Sequence, residues 1–169
     1  PGLLAAYFAV VRSPQFAFFN VYLPALLLVP DYYRWIAPGL PDPTSNQAAA
    51  LAIFIVFITR GAPGYQFTPF DLVVYCLAAV ISYSEYRASG YNDAQNLMFT
   101  MLTSVVIPYV LAKSLVEPLG GRVAFAKKIV ICLFTVAIIC LYESRFGVNP
   151  WQKIIGPFFS GQGLGWIIT

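Results

Sequence analysis

Arginine set beside a carboxylate and aromatic rings recurs three times in this chain, and these clusters are its best candidates for chemistry. They are Asp31-Tyr32-Tyr33-Arg34-Trp35, then Ser84-Glu85-Tyr86-Arg87 with Asn92-Asp93, then Glu143-Ser144-Arg145-Phe146-Gly147-Val148-Asn149-Pro150-Trp151. A guanidinium offers a planar fork of donors that grips phosphate oxygens two at a time. Arginines gathered from separate helices therefore suit a pyrophosphate group held at a membrane surface. Neighbouring carboxylates would orient the arginines or act as a base. The same residues also fit an ordinary interfacial belt, since Tyr, Trp and Arg collect at helix ends in membranes and nearby carboxylates neutralise the arginines. Spacing alone leaves both readings open.

Other chemistries find little support. The chain has no histidine, which removes the commonest metal ligand and the commonest general base. Cys76, Cys132 and Cys140 lie inside apolar stretches without CxxC spacing and are expected to be packing residues. The run Gly156 to Gly165 (GPFFSGQGLG) lacks the Lys-Ser/Thr of a phosphate-binding loop and does not fit GxGxxG, so it is predicted to be a linker or interfacial loop. Basic residues stand singly at helix ends rather than in a stripe, which argues against nucleic acid. Arg122, Lys127 and Lys128 form a basic group better explained as a topology signal than as a headgroup site. No metal and no cofactor is expected.

The elements that must position the arginine clusters are apolar. Hydrophobic residues make up 59% of the 169 and charged residues 10%, against about 25% charged in ordinary soluble domains. Five apolar stretches, placed near Gln15 to Pro30, Gln47 to Thr59, Leu72 to Ser84, Ala94 to Ala112 and Val123 to Tyr142, predict an all-α, polytopic transmembrane helical bundle of about five spans. Leu3 to Val11 reads as the tail of an earlier helix or a short interfacial one. Pro24 and Pro108 fall within apolar spans and should kink them. The intervening loops are Asp31 to Asn46, Arg60 to Asp71, Glu85 to Asp93 and Lys113 to Arg122. One membrane domain accounts for residues 1–169, and the opening Pro1 and the apolar ending at Thr169 suggest a fragment of a longer protein.

Counting lysines and arginines sets an orientation. With a cytoplasmic start, Arg12, Arg60, Lys113, Arg122, Lys127 and Lys128 lie inside and Arg34, Arg87, Arg145 and Lys153 outside, six against four. The arginine clusters then share the outer boundary.

Several segments are similar to a known family. RSPQFAFFNVYLP, LLLVPDYYRW, RGAPG, YSEYRASGYNDAQNLMF, VIPYVLAKSLVEP and above all YESRFGVNPW resemble the N-terminal half of bacterial proteins in the O-antigen ligase and polymerase superfamily. The likeness covers nearly the whole chain, and Glu-x-Arg-x-Gly-x-Asn-Pro at a helix end is its most distinctive part. It implies a GT-C-like, multi-spanning glycosyltransferase of the bacterial inner membrane. Such enzymes take glycans from undecaprenyl pyrophosphate at the periplasmic face. By the same resemblance Glu143, Arg145 and Asn149 correspond to the element just before the family's later helices and Arg87 to a periplasmic-side arginine; the arginine-carboxylate clusters add Arg34 and Asp93 as donor-binding candidates. The family's large periplasmic loop, with its arginine and histidine, would follow Thr169, so the fragment alone is not expected to catalyse. The expected partners are membrane lipids and a polyprenyl-linked glycan. The competing reading is a non-enzymatic membrane subunit packed in a larger respiratory or photosynthetic complex.

Overall fold

The computed structural model describes residues 1–31, 34, 43–117, 120–154 and 156–159. It is all-helical: the described residues hold helices and their connections, and the one β pairing among them is the isolated antiparallel bridge Arg34–Thr44. The helices are α1 (Gly2–Val11), α2 (Pro14–Leu28), α3 (Ser45–Thr59), α4 (Pro69–Ser89), α5 (Tyr91–Val116), α6 (Arg122–Phe146) and the short α7 (Pro150–Ile154). A 3₁₀ turn over Gly156–Phe159 follows. The predicted residues Tyr32, Tyr33 and Trp35, and the stretch 160–165 of the glycine-rich run, lie outside the described residues.

Local chemistry writes the helix starts. Ser13 accepts the Phe16 N–H at 3.0 Å, and Pro14 occupies the first helical position, where no N–H is needed. Thr44 with Gln47, and Thr68 with Asp71, form reciprocal capping boxes for α3 and α4. Gly90, at φ +90°, lies outside the comfortable range of other residues and folds α4 back on α5.

The two internal prolines disturb their helices through π turns. The Leu23 N–H reaches the Phe18 carbonyl, and the Ile107 N–H reaches the Leu102 carbonyl, each bond spanning five residues and each immediately preceding a proline. Proline has no N–H to offer the carbonyl four residues back, and its ring collides with that carbonyl in a regular helix. A widened turn relieves the collision.

A core forms where α1, α2, α3 and the second half of α5 meet. Ala5 and Ala9 of α1 are wholly buried beside Ala49 and Ala50 of α3, and Gly2 approaches Ala48 closely enough that a Cβ would sit 3.2 Å from its carbonyl oxygen. Small residues three and four apart let the two backbones close. Phe18, Ile53, Phe57, Ile107, Leu111 and Leu115 fill the centre. Two helix ends are closed by side chains of another helix. Arg60 donates to the Val10 carbonyl at 2.6 Å, and Gln15 donates to the Leu115 carbonyl at 3.0 Å.

Among the described residues two helices, α5 and α6, are long and apolar enough to cross a membrane, by length and composition. At 1.5 Å per residue, α5 and α6 measure about 38–39 Å, whereas α2 and α3 reach only about 22 Å and α1 about 15 Å. α4 has length, about 31 Å, but its last third carries Ser84, Glu85 and Arg87. Only 6% of the most apolar window of α6 is buried, against 39% for α5. An exposed face holding Val130, Ile131, Phe134, Ile138 and Leu141 requires lipid or another protein against it.

Two helices extend past the boundaries that their polar residues predict. α4 runs through Glu85 and Arg87 to Ser89, and α5 runs through Lys113 to Val116, so Lys113 is a helical residue and not part of a loop.

Candidate functional site

Successive helices run in alternate directions, and contacts between them fix which ends meet. Arg60 reaching Val10, Gln15 reaching Leu115, and Lys113 reaching Asp71 place the residues assigned to the inner side at one end of the bundle. The ends of α4 and α6, with Arg87 and Arg145, point the other way.

At that second end lie two grooves. One, of about 690 Å³, runs between α4 and α5 and is almost wholly apolar. Ala79, Met98 and Leu102 line its stretch toward the middle of the two helices, and Tyr83, Tyr86 and Tyr91 line the stretch toward the Gly90 turn. Arg87 directly follows Tyr86, and Asp93 directly precedes the buried Ala94; both charged residues are exposed. The second groove, of about 300 Å³, lies between the end of α2 and the end of α6, with Asp31, Cys140, Glu143 and Trp151 on its walls. It brings the first and third sequence clusters to one place.

The six predicted residues have different fates. Glu143 and Arg145 are exposed on the last turns of α6. Asn149 is committed locally: its Oδ1 accepts the Trp151 N–H at 2.9 Å and the Gln152 N–H at 3.4 Å, capping α7, with Pro150 in the first turn. Gly147 terminates α6 at φ +62°, its N–H donating to the Glu143 carbonyl. The distinctive Gly-x-Asn-Pro spacing is thus a helix stop followed by a helix start. Arg34 is exposed, and its backbone bridge to Thr44 carries the chain back to the start of α3. No hydrogen bond or ion pair joins Arg87, Asp93, Glu143, Arg145 or Asn149 to another of these five. α4 packs along α5, while α6 packs against the second half of α2.

The sequence reading missed the most densely bonded charged site. Asp71 is fully buried, and Lys113, 19% exposed, donates to both of its carboxylate oxygens at 2.7 Å. Tyr109 donates to Oδ1 at 2.6 Å, the Thr68 N–H to Oδ2 at 2.8 Å, and the Tyr65 hydroxyl lies 3.3 Å from Oδ2. Lys113 also donates to the Thr68 hydroxyl at 2.9 Å and sits over the Tyr65 ring, while the Tyr65 and Tyr75 hydroxyls are 2.7 Å apart. Asp71 precedes the apolar run that begins at Leu72. Burial alone would raise its carboxyl, but the hydrogen bonds from Lys113, Tyr109 and Thr68 outweigh burial and hold it well below the usual carboxylate range. The Tyr65 phenol, in the preceding loop, is raised by its hydrogen bond with Tyr75 and by burial. The missed signal was periodic: Tyr109 and Lys113 are four residues apart on one helix face, and the apolar pattern continues past Lys113 through Leu115 and Val116.

Chemically the two ends differ. Asp71 is saturated with donors and sealed, which suits a fastening. Arg87 and Arg145 are exposed and, among the described residues, carry no ion-pair partner, which suits an incoming anion. The described residues contain no group of three or more His, Cys, Asp or Glu arranged to hold a metal. Cys132 is buried, whereas Cys76 and Cys140 are exposed, so packing filler describes only Cys132 of the three. No protein-family model, no curated protein and no solved structure matches the chain.

Proposed function

We infer that this chain is part of a multi-pass inner-membrane glycosyltransferase of the O-antigen ligase type, acting on a glycan carried by undecaprenyl pyrophosphate at the periplasmic face. The observation that carries the reading is the pair of exposed guanidiniums, Arg87 and Arg145, which have no ion-pair partner among the described residues and lie at the end of the bundle where the apolar groove between α4 and α5 opens. An amphiphilic donor needs both features: an apolar track for its tail and fixed cations for its phosphates. The resemblance of YESRFGVNPW and its companion segments to the ligase and polymerase family supplies the reaction.

In that reaction an acceptor hydroxyl oxygen forms a bond to the anomeric carbon and gives up its proton to a base. The bond from that carbon to the phosphate oxygen breaks, and its electron pair leaves with the pyrophosphate. Arg87 and Arg145 would meet the charge that develops on the departing group, Arg34 would assist, and Glu143 or Asp93 would orient a neighbouring group. Asn149 would serve through the corner it caps. Alanine at Arg87 and Arg145, introduced into the protein as the cell makes it, should lower glycan transfer by roughly 10²–10³-fold while leaving the melting temperature unchanged. Glycan ladders on the acceptor lipid give the readout, and undiminished transfer removes these residues from the site.

A second reading draws on the bare apolar face of α6. A non-enzymatic subunit of a larger membrane assembly would bury that face against a partner. Stoichiometric co-purification with such a partner, together with intact glycan transfer in a deletion strain, would favour it.

A further inference from the structure

The chain divides by burial into two parts that one helix bridges. Between residues 69 and 101, α4 and the first half of α5, only Asp71 and Ala94 are buried, while α1, α2, α3 and Ile107–Val116 make up the core. α3 begins only halfway along α5, where Gln47 donates to the Ser104 hydroxyl at 3.1 Å. Beyond that point the hairpin stands outside the core. The bridge between the parts is the Leu102–Val106 π turn, followed by Pro108, which cannot return an N–H to the Ser104 carbonyl. Thr103 bends the ladder there further by donating to the Phe99 carbonyl at 2.7 Å. Such sites are where helices pivot.

Bonds at the inner end tie the hairpin back. Asp71 and Tyr75 belong to α4, whereas Lys113 and Tyr109 belong to the core half of α5 and Tyr65 packs against the core. We propose that α4 and the first half of α5 form a hinged body that pivots at the Leu102–Val106 turn, and that the Asp71–Lys113 pair with Tyr109 is the latch holding it against the core. The groove between α4 and α5 travels with this body, so the latch at the inner end sets how the groove is presented at the outer end. The inference rests on burial, hydrogen bonds and helix geometry, and holds whether or not the protein transfers a glycan.

Hydrogen exchange on the protein in lipid nanodiscs tests it. Asp71→Asn keeps the side-chain size but leaves Lys113 without a counter-charge; exchange across residues 69–101 should rise about tenfold, with 2–28 and 45–59 unchanged. Pro108→Ala restores the missing donor and should slow exchange across 102–106 several-fold relative to the unmodified protein. Tyr75→Phe, which removes one latch bond without touching a charge, should show a weaker form of the first effect. The proposal is overturned by hairpin exchange that rises only in step with the core, or by an Asp71→Asn or Tyr75→Phe variant whose hairpin is unchanged. Should Asp71→Asn fail to fold, an unaltered rate across 102–106 in Pro108→Ala overturns it independently.

Discussion

Asp71 and Lys113 depend on each other because each is costly to bury alone. Removing one partner leaves a charge facing protein, whereas replacing both by apolar side chains of similar size leaves none. Asp71→Asn and Lys113→Met should therefore each lower the melting temperature in detergent more than the double variant Asp71→Leu/Lys113→Met does. The pH dependence follows from the directions of the shifts. A carboxyl held below its ordinary value contributes stability that is fully present above about pH 4 and is lost as pH falls through the depressed value. A phenol held above its ordinary value, such as Tyr65, contributes below about pH 10 and loses that contribution as pH rises through the raised value. The stability gap between the unmodified protein and Asp71→Asn should thus be flat from about pH 5 to 9 and should close in strong acid, as thermal melts across pH would record.

At the scale of elements, the corner between α6 and α7 separates architecture from chemistry within one motif. Asn149→Ala removes a cap and should cost about 1 kcal/mol, visible as faster amide exchange in residues 151–154 with α6 unaffected. The existence of most helices was legible in the sequence because apolar runs declare themselves locally, whereas the caps at Ser13, Thr44 and Thr68 that set their starts went unread. Their ends were less legible. Lys113 reads as a loop residue by charge; the apolar pattern past it marks the helix, and the tertiary contact with Asp71, 42 residues away, explains why a lysine is tolerated there. The arginine clusters were legible as exposed groups at helix ends, but their separation onto α4 and α6 depends on packing that no local pattern encodes.

Across the whole molecule, stability and exposure are unevenly distributed. Phe57 and Ile53 lie in the centre of the core, so Phe57→Ala should cost about 3–5 kcal/mol, read as a drop in melting temperature. Val130→Ala, on the bare face of α6, should stay within about 0.5 kcal/mol. Equal losses at the two positions would mean that α6 is covered in the working protein and would strengthen the subunit reading.

The unequal helix lengths bear on the lipid itself. A hydrocarbon layer about 30 Å thick that meets α1, α2 and α3 on one flank encounters helices roughly 8–15 Å too short, while α5 and α6 on the other flank exceed its thickness. If the chain crosses the bilayer as a bundle, the lipid would thin on the short flank and the long helices would tilt. A headgroup drawn into such a depression would approach the protein below the normal water boundary, already partly stripped of solvent.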